Sequence, residues 1–331
     1  MDDHQRARLA LQRCRTKHAP DSRVSVFDAK VESDANQLFL RGSVSTPELE
    51  THARNAIEQV TDESVTNELS VLANERTERT IDASVAPVRG DSDADAEQVT
   101  QVLYGAAVTA FDRDGDWVRI RTPDDYLGWV EAAVLTTPQG EIDPGKRADA
   151  VVAHEIAPDE LGRPIYAGTE CRMDGSEVVF RTGATIARSN FESKSELEPD
   201  HAVRQSPENP TGEGVVEVAR QFFGTEYDWG GMTTDGIDCS GLAWISYRVN
   251  GIVLPRDADQ QRTMGETVSR DELLPGDLLF FPGHVAISLG GDEYIHAYGG
   301  DDAVVINSFD DGHDDYLADL DEKFELARRL I

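Results

Sequence analysis

Cys239 lies in Gly236-Ile237-Asp238-Cys239-Ser240-Gly241, directly before the run LAWISYRVNG. In that run Leu242, Ile245 and Val249 share one helical face and Asn250-Gly251 supplies a stop, so the spacing predicts a helix that begins at Cys239. The unpaired N–H groups and the dipole of a helix N-terminus favour a thiolate, the nucleophilic form of cysteine. Such a thiol needs a base. Of the eight histidines, two follow on strand-like runs: His284 opens His-Val-Ala-Ile-Ser-Leu, and His296 sits in Tyr-Ile-His-Ala-Tyr. The turn residues Gly290-Gly291-Asp292-Glu293 between them predict an antiparallel hairpin in which the two imidazoles are neighbours. One can take the thiol proton while the other holds it in the productive tautomer. Zinc ligation is the competing chemistry, but no carboxylate is spaced with these residues to complete a site. No metal and no other cofactor are expected. His313, in an acidic loop, reads as solvated. The remaining cysteines, Cys14 and Cys171, read as buried thiols, since three cysteines without a CxxC pair frame neither disulfides nor zinc.

Helix and hairpin belong to a C-terminal segment whose pattern changes at Thr211. Its first helix is expected in VVEVARQFFG, ending at Gly224, followed by the glycine-rich bend Tyr227-Asp228-Trp229-Gly230-Gly231. At the other end of the chain, 2–18 is helical. VSVFDAKV (24–31) and QLFLRGSV (37–44) alternate as strands joined by a turn at 33–36. A helix starts at Ser45-Thr46-Pro47-Glu48 and runs to about Val60, and SVTNELSVL (64–72) is a strand. This gives an αββαβ domain over 1–75. Residues 73–80 read as a polar linker. Short strands with turn signals over 82–138 predict a small barrel. Residues 142–200 repeat that character as a second, degenerate barrel with Cys171 in its core, and 191–213 reads as a linker or arm.

The 331 residues carry 63 Asp and Glu against 31 Lys and Arg, a net charge of −32, and only five of the bases are lysine. That charge repels phosphate backbones and anionic lipid, so nucleic-acid and membrane-surface partners are excluded. MDDHQRARLALQRCRTKH has no apolar secretory core and no run of 18 apolar residues exists, so a cytoplasmic location is expected. The acidity is spread along the chain. It fits a halophile's protein, because self-repulsion is screened where the Debye length falls to about 3 Å at 1 M salt.

Tyr227-x-Trp229-Gly230-Gly231, Asp238-Cys239-Ser240-Gly241-Leu242, Pro255-Arg256-x-x-x-Gln260, Pro275-Gly276-Asp277-Leu278-x-Phe280-Phe281, His284-Val285-Ala286-Ile287 and Ile295-His296-Ala297 together resemble the NlpC/P60 cysteine peptidases. Tyr104-Gly105, Trp117 and Gly128-Trp129-Val130 resemble a bacterial SH3 domain, and the αββαβ order with Gly42 resembles a BON domain, a small binding module. Two SH3-like modules ahead of the catalytic domain resemble the subgroup that cleaves γ-D-glutamyl bonds in murein peptides. The NlpC/P60 resemblance covers 207–331 and implies a domain of α+β type with a papain-like core, with Cys239 as nucleophile, His284 as base and His296 as orienting residue. It implies an oxyanion held by the Tyr227 hydroxyl and the Cys239 N–H. It has Asp238 and Ser240 hold the free amine of a small peptide substrate, with Tyr126, or else Tyr104, closing that pocket. Trp229 joins the substrate-binding set, and Arg256 either pairs with a substrate carboxylate or anchors its loop. Two other functions use the same features: an amidase or acyltransferase acting on another acyl group, and an inactive SH3/BON binding protein. No partner of the N-terminal domain is specified.

If the charge is a salt adaptation, the thermal unfolding midpoint rises from dilute buffer to molar KCl. A midpoint that does not move overturns that reading.

Overall fold

The computed structural model describes residues 2–34, 37–139, 150–158, 160–191, 202–205 and 207–331. The first elements are α1 (Asp3–His18), β1 (Phe27–Asp34), β2 (Gln37–Val44), α2 (Pro47–Glu58) and β3 (Ser64–Val71). Asp2 caps α1 and Thr46 caps α2, which carries Pro at its first turn and buries Leu49, Ala53 and Ile57 at helical spacing. In the sheet, β2 lies between antiparallel β1 and parallel β3. The first strand starts at Phe27 rather than at residue 24, because the segment before it leaves the sheet: the Arg23 carbonyl accepts from the Leu127 N–H at 2.6 Å. Ser33 and Asp34, expected in a turn, are strand residues; Ala35 and Asn36 lie outside the described residues.

A seven-stranded sheet follows: β4 (Thr77–Ile81), β5 (Val85–Arg89), β6 (Gln98–Leu103), β7 (Ala107–Asp114), β8 (Trp117–Arg121), β9 (Leu127–Glu131) and β10 (Leu135–Thr136), in the order β10-β4-β7-β8-β9-β5-β6. The polar stretch 73–80 is thus not a linker. Its second half is β4, pairing Thr77 to Thr80 with Ala110 to Ala107, and it buries Thr80 and Ile81. A third sheet, β14-β13-β12-β11-β15, is built from β11 (Ala150–Val152), β12 (Glu170–Asp174), β13 (Glu177–Val179), β14 (Thr185–Ala187) and β15 (Val203–Gln205). Cys171 is fully buried there, as expected. Val203–Gln205 pairs with Ala150–Val152, so part of the expected arm 191–213 is a strand; 192–201 and 206 lie outside the described residues, as do 140–149 and 159.

The remaining elements are α3 (Gly212–Arg220), β16 (Met232–Thr233), β17 (Gly236–Ile237), α4 (Cys239–Val249), α5 (Ala258–Gln261), β18 (Glu266–Val268), β19 (Leu278–Phe281), β20 (His284–Gly290), β21 (Glu293–Tyr298), β22 (Ala303–Ser308), α6 (Ala318–Lys323) and β23 (Leu326–Arg329). The six-stranded sheet runs β18-β23-β19-β20-β21-β22. Helix α3 stops at Arg220, four residues short of Gly224, whose N–H bonds the Val304 carbonyl instead of closing the helix. Helix α4 ends as its sequence predicts: the N–H of Gly251 reaches the Arg248 carbonyl and that of Ile252 the Tyr247 carbonyl. An amphipathic α4 was expected, yet all its residues are buried. One core cluster explains this, joining α4 and the six-stranded sheet to Leu103 of β6 and to Val151, Ala153, Tyr166 and Ala167. Among the described residues no helix is long and apolar enough to cross a membrane.

Gly42 has φ +113°, and a Cβ there would lie 1.9 Å from the Asp28 carbonyl oxygen in the paired strand. Gly42→Ala therefore adds this overlap to the about 1–3 kcal/mol of a disfavoured backbone. Hydrogen exchange of the β1–β2 amides accelerates in the variant; unchanged protection overturns the argument.

Candidate active site

Asp238 caps α4, its Oδ1 accepting from the Gly241 N–H at 2.6 Å, and this places Cys239 in the first turn. A Cβ on Gly241 would come within 2.3 Å of the Gly231 carbonyl oxygen, so the glycine-rich bend packs directly on the helix start. The thiol meets the backbone N–H groups of Val285, the residue after His284, and of Ser240. These donors favour a thiolate, but burial, reinforced by the Asp238 carboxylate, pushes the thiol up to about 12. The dipole of α4 and these two donors are thus opposed by the loss of solvent around the thiol.

His284 and His296 come together as predicted. Ile287 pairs with Ile295, and extending that register puts Ala286 opposite His296, so His284 is a diagonal neighbour on the same face. His284 Nε2 and His296 Nδ1 are 2.8 Å apart. One strand further, His296 pairs with Val305, so Asn307 is again diagonal, and its Oδ1 lies 2.8 Å from His296 Nε2. Asn307 Nδ2 donates to the Asp315 carbonyl at 3.1 Å, which fixes the orientation of the amide. The hydrogen-bond chain then assigns the tautomers. His296 Nε2–H donates to Asn307, His296 Nδ1 accepts from His284 Nε2–H, and His284 Nδ1 is left unprotonated. Burial depresses His284 to about 3, with His296 contributing, and His296 to about 4, so both rings are neutral near pH 7. Asn307 was not singled out in the sequence; its one signal is its place on the strand after His296, two residues beyond the register partner.

Tyr227, half-buried, bridges to Ile237 just before Cys239. Burial, with the Cys239 and Asp238 charges next, raises its hydroxyl to about 12, so it stays protonated and able to donate. Trp229 is 58% exposed beside it, and Gln98 Nε2 of β6 donates to the Trp229 carbonyl at 2.9 Å. The barrel thus borders this side of the site.

Arg256 differs most from expectation. Its Nε donates to Thr100 Oγ1 of β6 at 2.8 Å. One terminal nitrogen donates to Asp238 Oδ1 at 3.0 Å and Ser240 Oγ at 2.7 Å. The other donates to Asp238 Oδ2 at 2.7 Å and the Gly231 carbonyl at 3.3 Å. All five N–H groups are committed and the side chain has no exposed surface, so no donor is left for a substrate carboxylate. The alternative role, as a loop anchor, is what this geometry supports. Asp238 and Ser240, which the resemblance assigns to the substrate amine, belong to the same array. Besides Arg256 and Gly241, Asp238 accepts from Ser240 Oγ and the Gly230 N–H, so its carboxylate is fixed in position beside Cys239. Neither tyrosine turns its hydroxyl to Asp238: Tyr126 donates to Asp257 Oδ2 at 3.2 Å, and Tyr104 pairs with Thr182 Oγ1 at 2.6 Å.

Residues 224–317 match the model of the NlpC/P60 family, and 84–136 match that of the bacterial SH3 domain. The chain is 32% identical over 259 residues to a protein named dipeptidyl-peptidase 6 of Lysinibacillus sphaericus, covering 72% of this chain and 94% of that one. The chain belongs to the NlpC/P60 family. It is therefore a cysteine peptidase with an SH3-like domain and a mixed α+β fold. A γ-D-glutamyl-L-lysine dipeptidyl-peptidase of Bacillus subtilis is 28% identical over 225 residues, 60% of this chain and 71% of that protein. An NlpC/P60 protein structure from Bacillus cereus superposes with a TM-score of 0.61 at 22% identity, over 76% of this chain and 99% of that one, and shares the fold.

Each histidine has a folded value below its ordinary 6.5, so as pH falls the unfolded chain binds protons first. The stability they contribute is complete above about 6.5 and is lost as pH falls toward 3 to 4. The wild-type thermal midpoint drops across this window, and drops less in His284→Gln. Identical slopes for the two proteins overturn the assignment.

Proposed function

We propose that this NlpC/P60 peptidase cleaves the amide bond after a γ-linked D-glutamyl residue in short cell-wall-type peptides that carry a free amine. The observation that carries the reading is the hydrogen-bonded chain His284–His296–Asn307, with the Cys239 thiol against the N–H of Val285, the residue after His284, and Tyr227 near the thiol. His284 Nδ1 takes the thiol proton as sulfur attacks the acyl carbon. The Tyr227 hydroxyl and the Cys239 N–H donate to the resulting oxyanion, each such donor being worth about 10²–10³ in rate. The imidazolium returns the proton to the leaving amine, and water then hydrolyses the thioester with the same imidazole as base. Burial disfavours charge on both thiol and imidazole, so proton transfer accompanies attack.

The substrate class is supported by the relatives named as dipeptidyl-peptidases and by the barrel strand β6, whose Gln98 borders the site at Trp229. In this reading 1–75 is a BON-like module, 82–138 an SH3-like barrel, 142–200 a second and degenerate one, and 207–331 the catalytic domain acting on peptides in the cytoplasm.

Incubated in high salt with L-Ala-γ-D-Glu-diamino acid peptides, wild type releases the dipeptide and Cys239→Ala does not. Acetylating the peptide amine slows cleavage by about tenfold or more, the equivalent of an about 1.5–3 kcal/mol charge-assisted hydrogen bond. No cleavage by wild type sinks the substrate assignment. Equal rates on both peptides sink the amine requirement.

A further inference from the structure

Arg23 lies outside both family-matched segments, in the stretch between α1 and β1, yet its side chain ends beside the catalytic domain. Its Nε donates to Asp21 Oδ1 at 2.9 Å. One terminal nitrogen donates to Asp257 Oδ2 at 2.8 Å and Asp259 Oδ1 at 2.7 Å. The other donates to Asp21 Oδ2 and Asp259 Oδ2, both at 2.8 Å. Around this fork, Gln260 donates to Asp21 at 3.1 Å, Tyr126 donates to Asp257, and the Leu127 N–H holds the Arg23 carbonyl. One guanidinium therefore bridges three carboxylates from two distant parts of the chain.

Asp257 follows Arg256, the residue that grips Asp238 and Ser240 on either side of Cys239. The charges of Asp257 and Arg256 act on one another directly. We infer that Arg23 is a positioning residue for the catalytic centre: by occupying Asp257 it leaves Arg256 to Asp238, and so holds the N-terminus of α4 in register with the histidines. Without Arg23, three carboxylates face one another across the contact, and Asp257 competes with Asp238 for the Arg256 guanidinium. Lysine cannot replace the fork, because a compact ammonium does not present paired donors to three carboxylates at once. The N-terminal unit is thereby part of the machinery of the peptidase.

This inference rests on Cys239 as nucleophile, and its test separates the two. The full-length chain is assayed on the peptide of the preceding section as wild type, Cys239→Ala, Arg23→Ala, Arg23→Lys and the double variant Arg23→Ala/Asp257→Asn. Arg23→Ala lowers kcat by about 10- to 100-fold, the range for small misplacement of a reacting group, with a smaller effect on KM. Arg23→Lys recovers only part. The double variant recovers most of the loss, because a neutral amide no longer draws Arg256 away. The Arg23→Ala deficit also shrinks in molar KCl, where carboxylate repulsion is screened. A kcat for Arg23→Ala within twofold of wild type overturns the inference. So does an equal loss in the single and double variants that follows a lowered thermal midpoint. Activity persisting in Cys239→Ala instead overturns the nucleophile assignment, whatever Arg23 does.

Discussion

The Arg256 guanidinium joins the capped start of α4 through Asp238 and Ser240, the glycine-rich bend through the Gly231 carbonyl, and barrel strand β6 through Thr100. Burying a guanidinium and a carboxylate together gains little net stability, because desolvation offsets most of their attraction. What the pair fixes is geometry. Removing one partner would strand a buried charge, at a cost of about 3–5 kcal/mol, so the two act as one unit. Because Asp238 is also the cap of α4, the unit that ties the barrel to the catalytic sheet is the one that aims the thiol. The glycines at 231 and 241 belong to the same arrangement, since the bend and the helix start approach too closely for a side chain between them.

Opposite this charged unit stands an uncharged one. Three adjacent strands carry His284, His296 and Asn307 along a diagonal of one sheet face, and each hydrogen bond sets the tautomer of the next ring. The direction of the array is set at its far end, by the Asp315 carbonyl that orients the Asn307 amide. Burial lowers both imidazoles and raises the thiol, so it favours the uncharged form of each.

The catalytic centre was legible to the extent that its signals are local. Cys239 announces itself by the helix that follows it, and the two histidines by a hairpin whose glycine turn is written between them. Asn307 left no comparable mark, because one polar residue on an alternating strand acquires meaning only from cross-strand register. Arg256 was ambiguous because its partners lie at 100, 231, 238 and 240, and the saturation of a guanidinium is a property of the assembled site. Tyr126 and Tyr104, offered as alternatives for closing the pocket, have hydroxyl partners, Asp257 and Thr182, in segments their own surroundings do not specify. The αββαβ order came through clearly because capping and alternation are short-range. The strand β4 was hidden in polar residues because its pairing partner, β7, lies some thirty residues on.

The complete burial of α4 has a consequence for how this molecule can change. A helix with a wet face tolerates drift on that side. Here the sheet covers one side and residues of the second and third units cover the other, so every position of α4 faces a neighbour. The nucleophile-bearing element and the domains around it must then vary together, and the 207–331 segment cut from its companions would expose an apolar seam beside Cys239. In this chain the accessory domains serve as walls of the catalytic core, and their sequences are bound to its packing.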